Sequence, residues 1–292
     1  MTKLLVTGTH GQVAQSLVRQ AWHHSGVTVE AIGRPEIDLE KPDSMAAAIA
    51  VRAPDIIVNA AAYTAVDRAE QEPALAYAVN RDGAAAVARI AQRLGARLIH
   101  LSTDYVYDGR KPSPYVESDA TGPLSVYGAS KLAGERAILE ACPQALIIRT
   151  SWVYSPSGGN FVKTMLRIGA ERHKVRVVDD QVGNPTSADD LADAILRIAP
   201  ALGGRGGVYH LAGSGHVSWY GFARHIFAVS GKQGGPMPTV EAITTADYPT
   251  AAQRPQRTWL AMDAFAQRFG FSLPDWQGSV ENVVNEVLQA KP

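Results

Sequence analysis

The strongest chemical signal is a pair of polar side chains four residues apart, Tyr127 and Lys131, in the run Tyr127-Gly128-Ala129-Ser130-Lys131. On a helix this spacing puts both on one face. A free phenol titrates at about 10 and is a poor acid–base group at neutral pH. An ammonium beside it favours the phenolate and is expected to lower that value. The pair therefore suits proton delivery to the alkoxide formed when hydride adds to a carbonyl, with Lys131 also holding the nicotinamide ribose. A third group is expected where Ser102-Thr103-Asp104-Tyr105 follows the apolar run 98–101. A hydroxyl there polarises the carbonyl. Successive strand residues face opposite ways, so Thr103 is assigned that role and Ser102 a structural one.

Hydride chemistry needs a dinucleotide site, and the start of the chain offers one. Thr7-Gly8-Thr9-His10-Gly11-Gln12-Val13-Ala14 follows the first apolar run, with Gly8, Gly11 and Ala14 each three residues apart. Small residues at such positions allow a tight strand-to-helix turn, close approach to a pyrophosphate, and helix packing on the strand. The helix N-terminus beyond supplies free N–H groups and partial positive charge for phosphates. Arg34 stands at the end of the second apolar run, where an acid would bind the ribose diol. An arginine suits a 2′-phosphate instead, which favours NADPH over NADH. Asp38 and Leu39 are placed to touch the adenine edge.

These groups require rigid elements to hold them. Apolar runs at 4–6, 28–32, 56–59, 98–101 and 146–148 read as buried strands. Between them, 12–22, 44–51, an Ala-rich stretch at 72–94, and 127–140 read as helices. Strands alternating with helices predict an α/β fold: a Rossmann-type doubly wound parallel sheet. The expected division is a dinucleotide-binding domain over 1–149 and a smaller, interleaved substrate lobe over 150–292, with 172–198 returning to the sheet. In the second half, 175–178 and 208–211 read as strands, and 187–198 and 218–229 as helices with serine N-caps. The stretches 155–160 and 203–207 read as glycine-rich connections, and 231–257 as irregular.

Bulk properties narrow the partners. The 292 residues are 46% hydrophobic and 19% charged, with 28 basic and 28 acidic side chains. That balance does not favour a nucleic-acid partner. No apolar run approaches the length of a membrane span, and the lone Cys142 fits a reducing compartment, so a cytoplasmic location is expected. No metal-ligand spacing of the zinc type is present.

Longer motifs carry a resemblance. GTHGQV at 8–13, NAAAYTAVDRAE at 59–70, LSTDYVYDG at 101–109 and YGASKLAGE at 127–135 are joined by RTSWVY at 149–154 and GNFVKTML at 159–166. DDQVGNPTSADDLADAI at 179–195, YPTAAQRP at 248–255 and LPDWQGSV at 273–280 complete the set. Over nearly its whole length the chain resembles the dTDP-4-dehydrorhamnose reductase family of the extended short-chain dehydrogenase/reductase superfamily. The resemblance implies reduction of the C4 keto group of dTDP-4-dehydro-L-rhamnose by NAD(P)H. It implies that Gly11, Gln12, Val13, Asp38, Leu39, Ala62, Tyr63 and Thr64 line the cofactor. It places Thr103, Asp104 and Trp152 against the sugar, with Tyr105 and Asn160 as further substrate contacts and Arg254 toward the diphosphate.

Two departures bear on partners. Some members of that family hold Mg²⁺ between two subunits with acids from the first helix and from a later one. Gln15 is neutral at the early position, while Asp189 and Asp190 remain at the later one. Losing a carboxylate weakens such a site, leaving monomer and homodimer both open. Arg257 replaces an amide in Arg254-Pro255-Gln256-Arg257-Thr258-Trp259-Leu260. Two other readings compete. The chain could be another nucleotide-sugar 4-ketoreductase or epimerase, or a non-catalytic subunit resembling the regulatory subunit of methionine adenosyltransferase.

Overall fold

The computed structural model describes residues 1–204 and 206–290. Six parallel strands form the main sheet: β1 (Thr2–Thr7), β2 (Val27–Ile32), β3 (Ile56–Asn59), β4 (Arg97–Thr103), β5 (Leu146–Thr150) and β6 (Gly207–His210). Their order is β6-β5-β4-β3-β1-β2. The chain steps outward from β1 to β2, then returns to the other side of β1 as β3. The crevice at the strands' carboxyl ends opens where that direction reverses, the place where doubly wound sheets bind ligands.

Period-two alternation divides each strand between two cores. Leu4, Val6, Ile56, Val58, Ile99 and Ile148 face one cluster with Leu17, from the first helix (Gln12–Gln20), and Ile195, from the helix Ala188–Ile198. Leu5, Ile57, Leu98 and Ile147 face the other, with Ile90 and with Ile138 of the helix Val126–Ala141. Burying each such side chain contributes roughly 1.5–3 kcal/mol. A third cluster, around Tyr154, Phe222, Trp276 and Val284, builds the C-terminal lobe.

The Ala-rich stretch is one helical run with a widened middle, Pro73–Tyr77, then a π-helical segment Ala78–Gly83, then Ala84–Leu94. Composition carries no mark of that wide turn, a feature that often occurs at functional sites.

The expected strand at 175–178 forms as Lys174–Val178 but stays outside the main sheet. It pairs in parallel with Thr239–Ile243, a strand inside the segment expected to be irregular. A half-exposed two-stranded pair needs no continuous apolar run, so its periodicity is weak. The helix Ala188–Ile198 does pack on the main sheet's core, so only the helical part of 172–198 rejoins it. Of the connection 203–207, Arg205 lies outside the described residues.

Candidate active site

The helix Val126–Ala141 begins where Ser125 accepts a hydrogen bond from the Gly128 backbone N–H at 3.2 Å and Glu70 accepts one from Val126 at 2.8 Å. Both satisfy donors that a helix start leaves open. Gly128 is required by close approach: a Cβ there would stand 2.3 Å from the Tyr105 carbonyl oxygen. The helix therefore lies against the 3₁₀ turn Asp104–Val106 at the end of β4.

That approach brings Tyr127 to Thr103. The Thr103 hydroxyl is the neighbour that holds the Tyr127 phenol's pKa down. It also donates to Asp104 Oδ1 at 3.1 Å and accepts from the Tyr105 N–H at 3.2 Å. The Tyr105 and Tyr127 rings meet edge to face with centroids 5.6 Å apart. Ser102, facing the other way, donates to Glu135 at 2.5 Å.

Lys131 is 2% exposed. Its Nζ donates to the Leu101 carbonyl at 2.6 Å and lies 3.3 Å from His100 Nε2. Burial brings the lysine down to about 8, against the pull of Glu135. The expected acidification of the phenol is absent in the protein alone. Burial pushes Tyr127 up to about 12; Thr103 eases that and the Asp104 charge adds to it, with no contribution from Lys131. The ammonium is turned to the β4 backbone, so spacing along the helix overstated its reach to the phenol. Asp104, buried and held by Thr258 at 2.5 Å, is pushed up to about 6 by desolvation.

The glycine loop has the shape a pyrophosphate needs. Gly8 turns the chain at a φ of +94°. The first helix starts at Gly11 with no side-chain cap, leaving its first N–H groups available. Val13 is buried beneath the loop, in the core. Gln12 reaches away from the loop, donating to the Val153 carbonyl at 3.3 Å and accepting from Ser155 and Asn160. Arg34 is exposed, Leu39 is in the core, and Asp38 accepts from the Glu40 N–H at 3.1 Å. Ala62 and Tyr63 are half-buried and Thr64 is exposed beyond β3. The Tyr63 backbone is bracketed by the Asn80 side-chain amide at 2.8 and 3.1 Å.

The substrate candidates divide. Asp104 and Tyr105 adjoin Tyr127. Asn160 does not: it caps the helix Phe161–Glu171 and donates to Gln12 and the Ser155 carbonyl, which occupies its amide. Trp152 has a φ of +45° and stacks on Trp219 with centroids 3.4 Å apart. A tryptophan in the left-handed region is strained, and packing must hold it there. Trp219, Phe161, Arg172, Lys174 and Arg176 line a cavity of about 910 Å³, and Arg254 closes its edge, paired with Asp67 at 2.6 Å. A smaller cavity of about 440 Å³, walled by Asp108, Arg110 and Tyr248, shares Arg254. Neither is lined by Tyr127. The link is Arg254, whose charge acts on Tyr105.

The carboxylates that would face Mg²⁺ in some relatives, a site already weakened here by the neutral Gln15, are engaged elsewhere. Both Asp189 oxygens lie 2.6 Å from Arg19 Nη2, and the half-buried Asp190 accepts from Ser279. With Gln15 neutral, this donor set does not fit a divalent ion.

Sequence reasoning missed Asn59, Asn80, His100 and Glu135. A polar residue within an apolar strand run is the signal that could have revealed Asn59 and His100; Asn80 and Glu135 carry none.

The fold and the tyrosine–lysine helix define a Rossmann-type short-chain dehydrogenase/reductase. Residues 1–289 match the family model described as RmlD substrate binding domain. The chain is 48% identical over 291 residues to the dTDP-4-dehydrorhamnose reductase of Sinorhizobium fredii (strain NBRC 101917 / NGR234), covering 98% of each chain. It is 43% identical over 289 residues to that of Aggregatibacter actinomycetemcomitans, covering 97% of this chain and 98% of that one. Among solved structures, the dTDP-4-dehydrorhamnose reductase of Bacillus anthracis in complex with NADP superposes with a TM-score of 0.92 at 34% identity, covering 98% of this chain and 100% of that one. The chain belongs to the dTDP-4-dehydrorhamnose reductase family.

Proposed function

We propose that the protein reduces the C4 keto group of dTDP-4-dehydro-L-rhamnose to dTDP-L-rhamnose with NADPH, and that Tyr127 delivers the proton. The observation carrying this reading is the meeting of Thr103 and Tyr127 at the carboxyl end of β4, with Lys131 one helical turn behind. Bound NADPH supplies the hydride. A phenol held at about 12 stays protonated at neutral pH, the form a reductase needs in its donor. Thr103 hydrogen-bonds the sugar carbonyl, and the negative charge developing on that oxygen draws the phenolic proton. Lys131 holds the nicotinamide ribose.

Gly8, Gly11 and the open helix N-terminus hold the pyrophosphate, and the exposed Arg34 takes the 2′-phosphate, which sets NADPH ahead of NADH. The larger cavity suits the nucleotide half of the substrate. Trp219 and Phe161 offer flat apolar faces to a base, while Arg172, Lys174, Arg176 and Arg254 offer positive charge to a diphosphate. Mg²⁺ has no part in this reading. No helix among the described residues is long and apolar enough to cross a membrane.

Purified protein mixed with dTDP-4-dehydro-L-rhamnose should oxidise NADPH in step with dTDP-L-rhamnose formation. Sugar interconversion with no net NADPH oxidation would identify an epimerase, and no turnover at all would favour the binding-subunit reading.

A further inference from the structure

Three buried polar residues stand in one row across the sheet. The parallel register pairs Thr7 of β1 with Asn59 of β3, and Asn59 with His100 of β4. All three are at most 1% exposed, on the sheet face covered by the helix that carries Lys131. Their bonds run in sequence: Thr7 Oγ1 to Asn59 Oδ1 at 2.6 Å, Asn59 Nδ2 to His100 Nδ1 at 3.0 Å, and His100 Nε2 to Lys131 Nζ at 3.3 Å.

At the far end of the row the Thr7 hydroxyl accepts from the Ala61 N–H at 3.2 Å and donates its single proton to Asn59 Oδ1 at 2.6 Å. Asn59 therefore turns its NH₂ toward His100, whose Nδ1 must accept. A neutral imidazole with Nδ1 accepting carries its proton on Nε2. That N–H points at the lysine nitrogen. An ammonium has three donors and no lone pair, so it cannot accept this bond, whereas an amine can.

We propose that His100 is a positioning residue for Lys131: the Thr7–Asn59–His100 row fixes its Nε2–H tautomer, and that N–H favours the amine form of Lys131 in the cofactor-free protein. The inference rests on the reading of Lys131 as the ribose-holding residue. Its consequence is that NADPH binding, which needs the ammonium, takes up a proton as pH rises past the lysine midpoint.

The surroundings agree. Burial alone brings Lys131 down to about 8, and His100 is displaced well below its ordinary range by burial and by the lysine charge, which keeps the imidazole neutral. On its own helix Lys131 faces Tyr127 and Glu135. From β5 comes Arg149, paired with Glu135 at 2.6 Å. The turn after β4 brings Asp104 and Tyr105, and the π-helical segment brings neutral Asn80 and the exposed Arg81–Asp82 pair. Glu135 is the one charge that raises the lysine.

Ring-nitrogen NMR of uniformly labelled protein reads the tautomer directly, with His100 assigned by its loss in His100→Gln. A neutral Nε2–H ring at neutral pH is expected; an Nδ1–H ring or an imidazolium overturns the proposal. Thr7→Val then frees Asn59 to present its oxygen, without adding charge. The alkaline fall in NADPH affinity should move up by about one pH unit, giving about tenfold tighter binding than wild type on that limb. A merely structural role weakens binding equally at every pH, and an unmoved midpoint overturns the inference. Should Thr7→Val fail to fold, the wild-type tautomer still decides. Lys131→Met separates the two levels: unchanged turnover and NADPH binding in that variant would remove Lys131 from the mechanism, whatever the His100 tautomer.

Discussion

Two buried polar clusters lie side by side on β4, β5 and the Val126–Ala141 helix, and they treat charge in opposite ways. In the first, Glu135 and Arg149 form a two-pronged pair at 2.6 and 2.9 Å, their side chains 4% and 6% exposed. Their remaining capacity is used as well: Ser102 donates to Glu135, and Arg149 donates to Tyr107, which meets His210. In the second, one turn back along the helix, Lys131 has a carbonyl and an imidazole but no carboxylate in contact, and Asp104 has hydroxyls but no cation. The first cluster is compensated and anchors the helix. The second is not, and its members move toward neutrality, Lys131 to about 8 and Asp104 to about 6. Burial with a partner fixes a charge; burial without one makes the proton mobile, as acid–base chemistry requires.

The contrast can be broken most sharply at Tyr127. Tyr127→Phe should lower turnover by about a thousandfold, within the range of lost general-acid catalysis, with an unchanged melting temperature. NADPH oxidation and thermal unfolding measured on one preparation check both halves. Glu135→Ala should do the reverse: stranding the Arg149 charge costs about 3–5 kcal/mol in urea unfolding. A loss below about 1 kcal/mol would show that the compensated cluster is no anchor.

A smaller effect, with a definite sign, belongs to Asp104. Its native carboxyl titrates at about 6 rather than 3.8, so the folded chain binds more protons than the unfolded chain between those values. Stability contributed by this group is present below the unfolded value and lost as pH rises through the folded one. Asp104→Asn should therefore be the more stable protein at neutral pH, by on the order of 2 kcal/mol, and this advantage should vanish in acid. An equal difference at every pH would place the effect in packing.

Arg34→Ala should raise KM for NADPH by about fivefold and leave that for NADH unchanged, since an exposed charge contributes roughly 1 kcal/mol to a phosphate contact. Equal effects on the two cofactors would make Arg34 a bystander. Least of all is expected from magnesium. Arg19 on Asp189 is a compensated pair like Glu135–Arg149, so adding Mg²⁺ or a chelator should shift neither turnover nor melting temperature. Magnesium-dependent activity would show that Arg19 gives way.

Most of the sheet was legible because parallel strands buried on both faces read as unbroken apolar runs. The glycine turn after β1 and the helix that carries Tyr127 and Lys131 were legible because each depends on neighbours close along the chain. Asn160 was not: an amide at a loop end reads equally as a ligand contact or a helix cap, and Gln12, distant in sequence, occupies it here. The strand Thr239–Ile243 was missed because its pairing with Lys174–Val178 buries too little to leave a pattern.

By itself, the sequence determined the α/β alternation, the glycine turn after the first strand and the residue types along the Tyr127–Lys131 helix, since each depends on neighbours within a turn or two. Only tertiary structure decided which charges are compensated. It joined Arg149 to Glu135, aligned Thr7, Asn59 and His100 across three strands, and turned Lys131 toward a backbone carbonyl rather than the phenol. Such pairings join positions far apart in sequence, and desolvation, which moves their protons, exists only once the chain has closed around them.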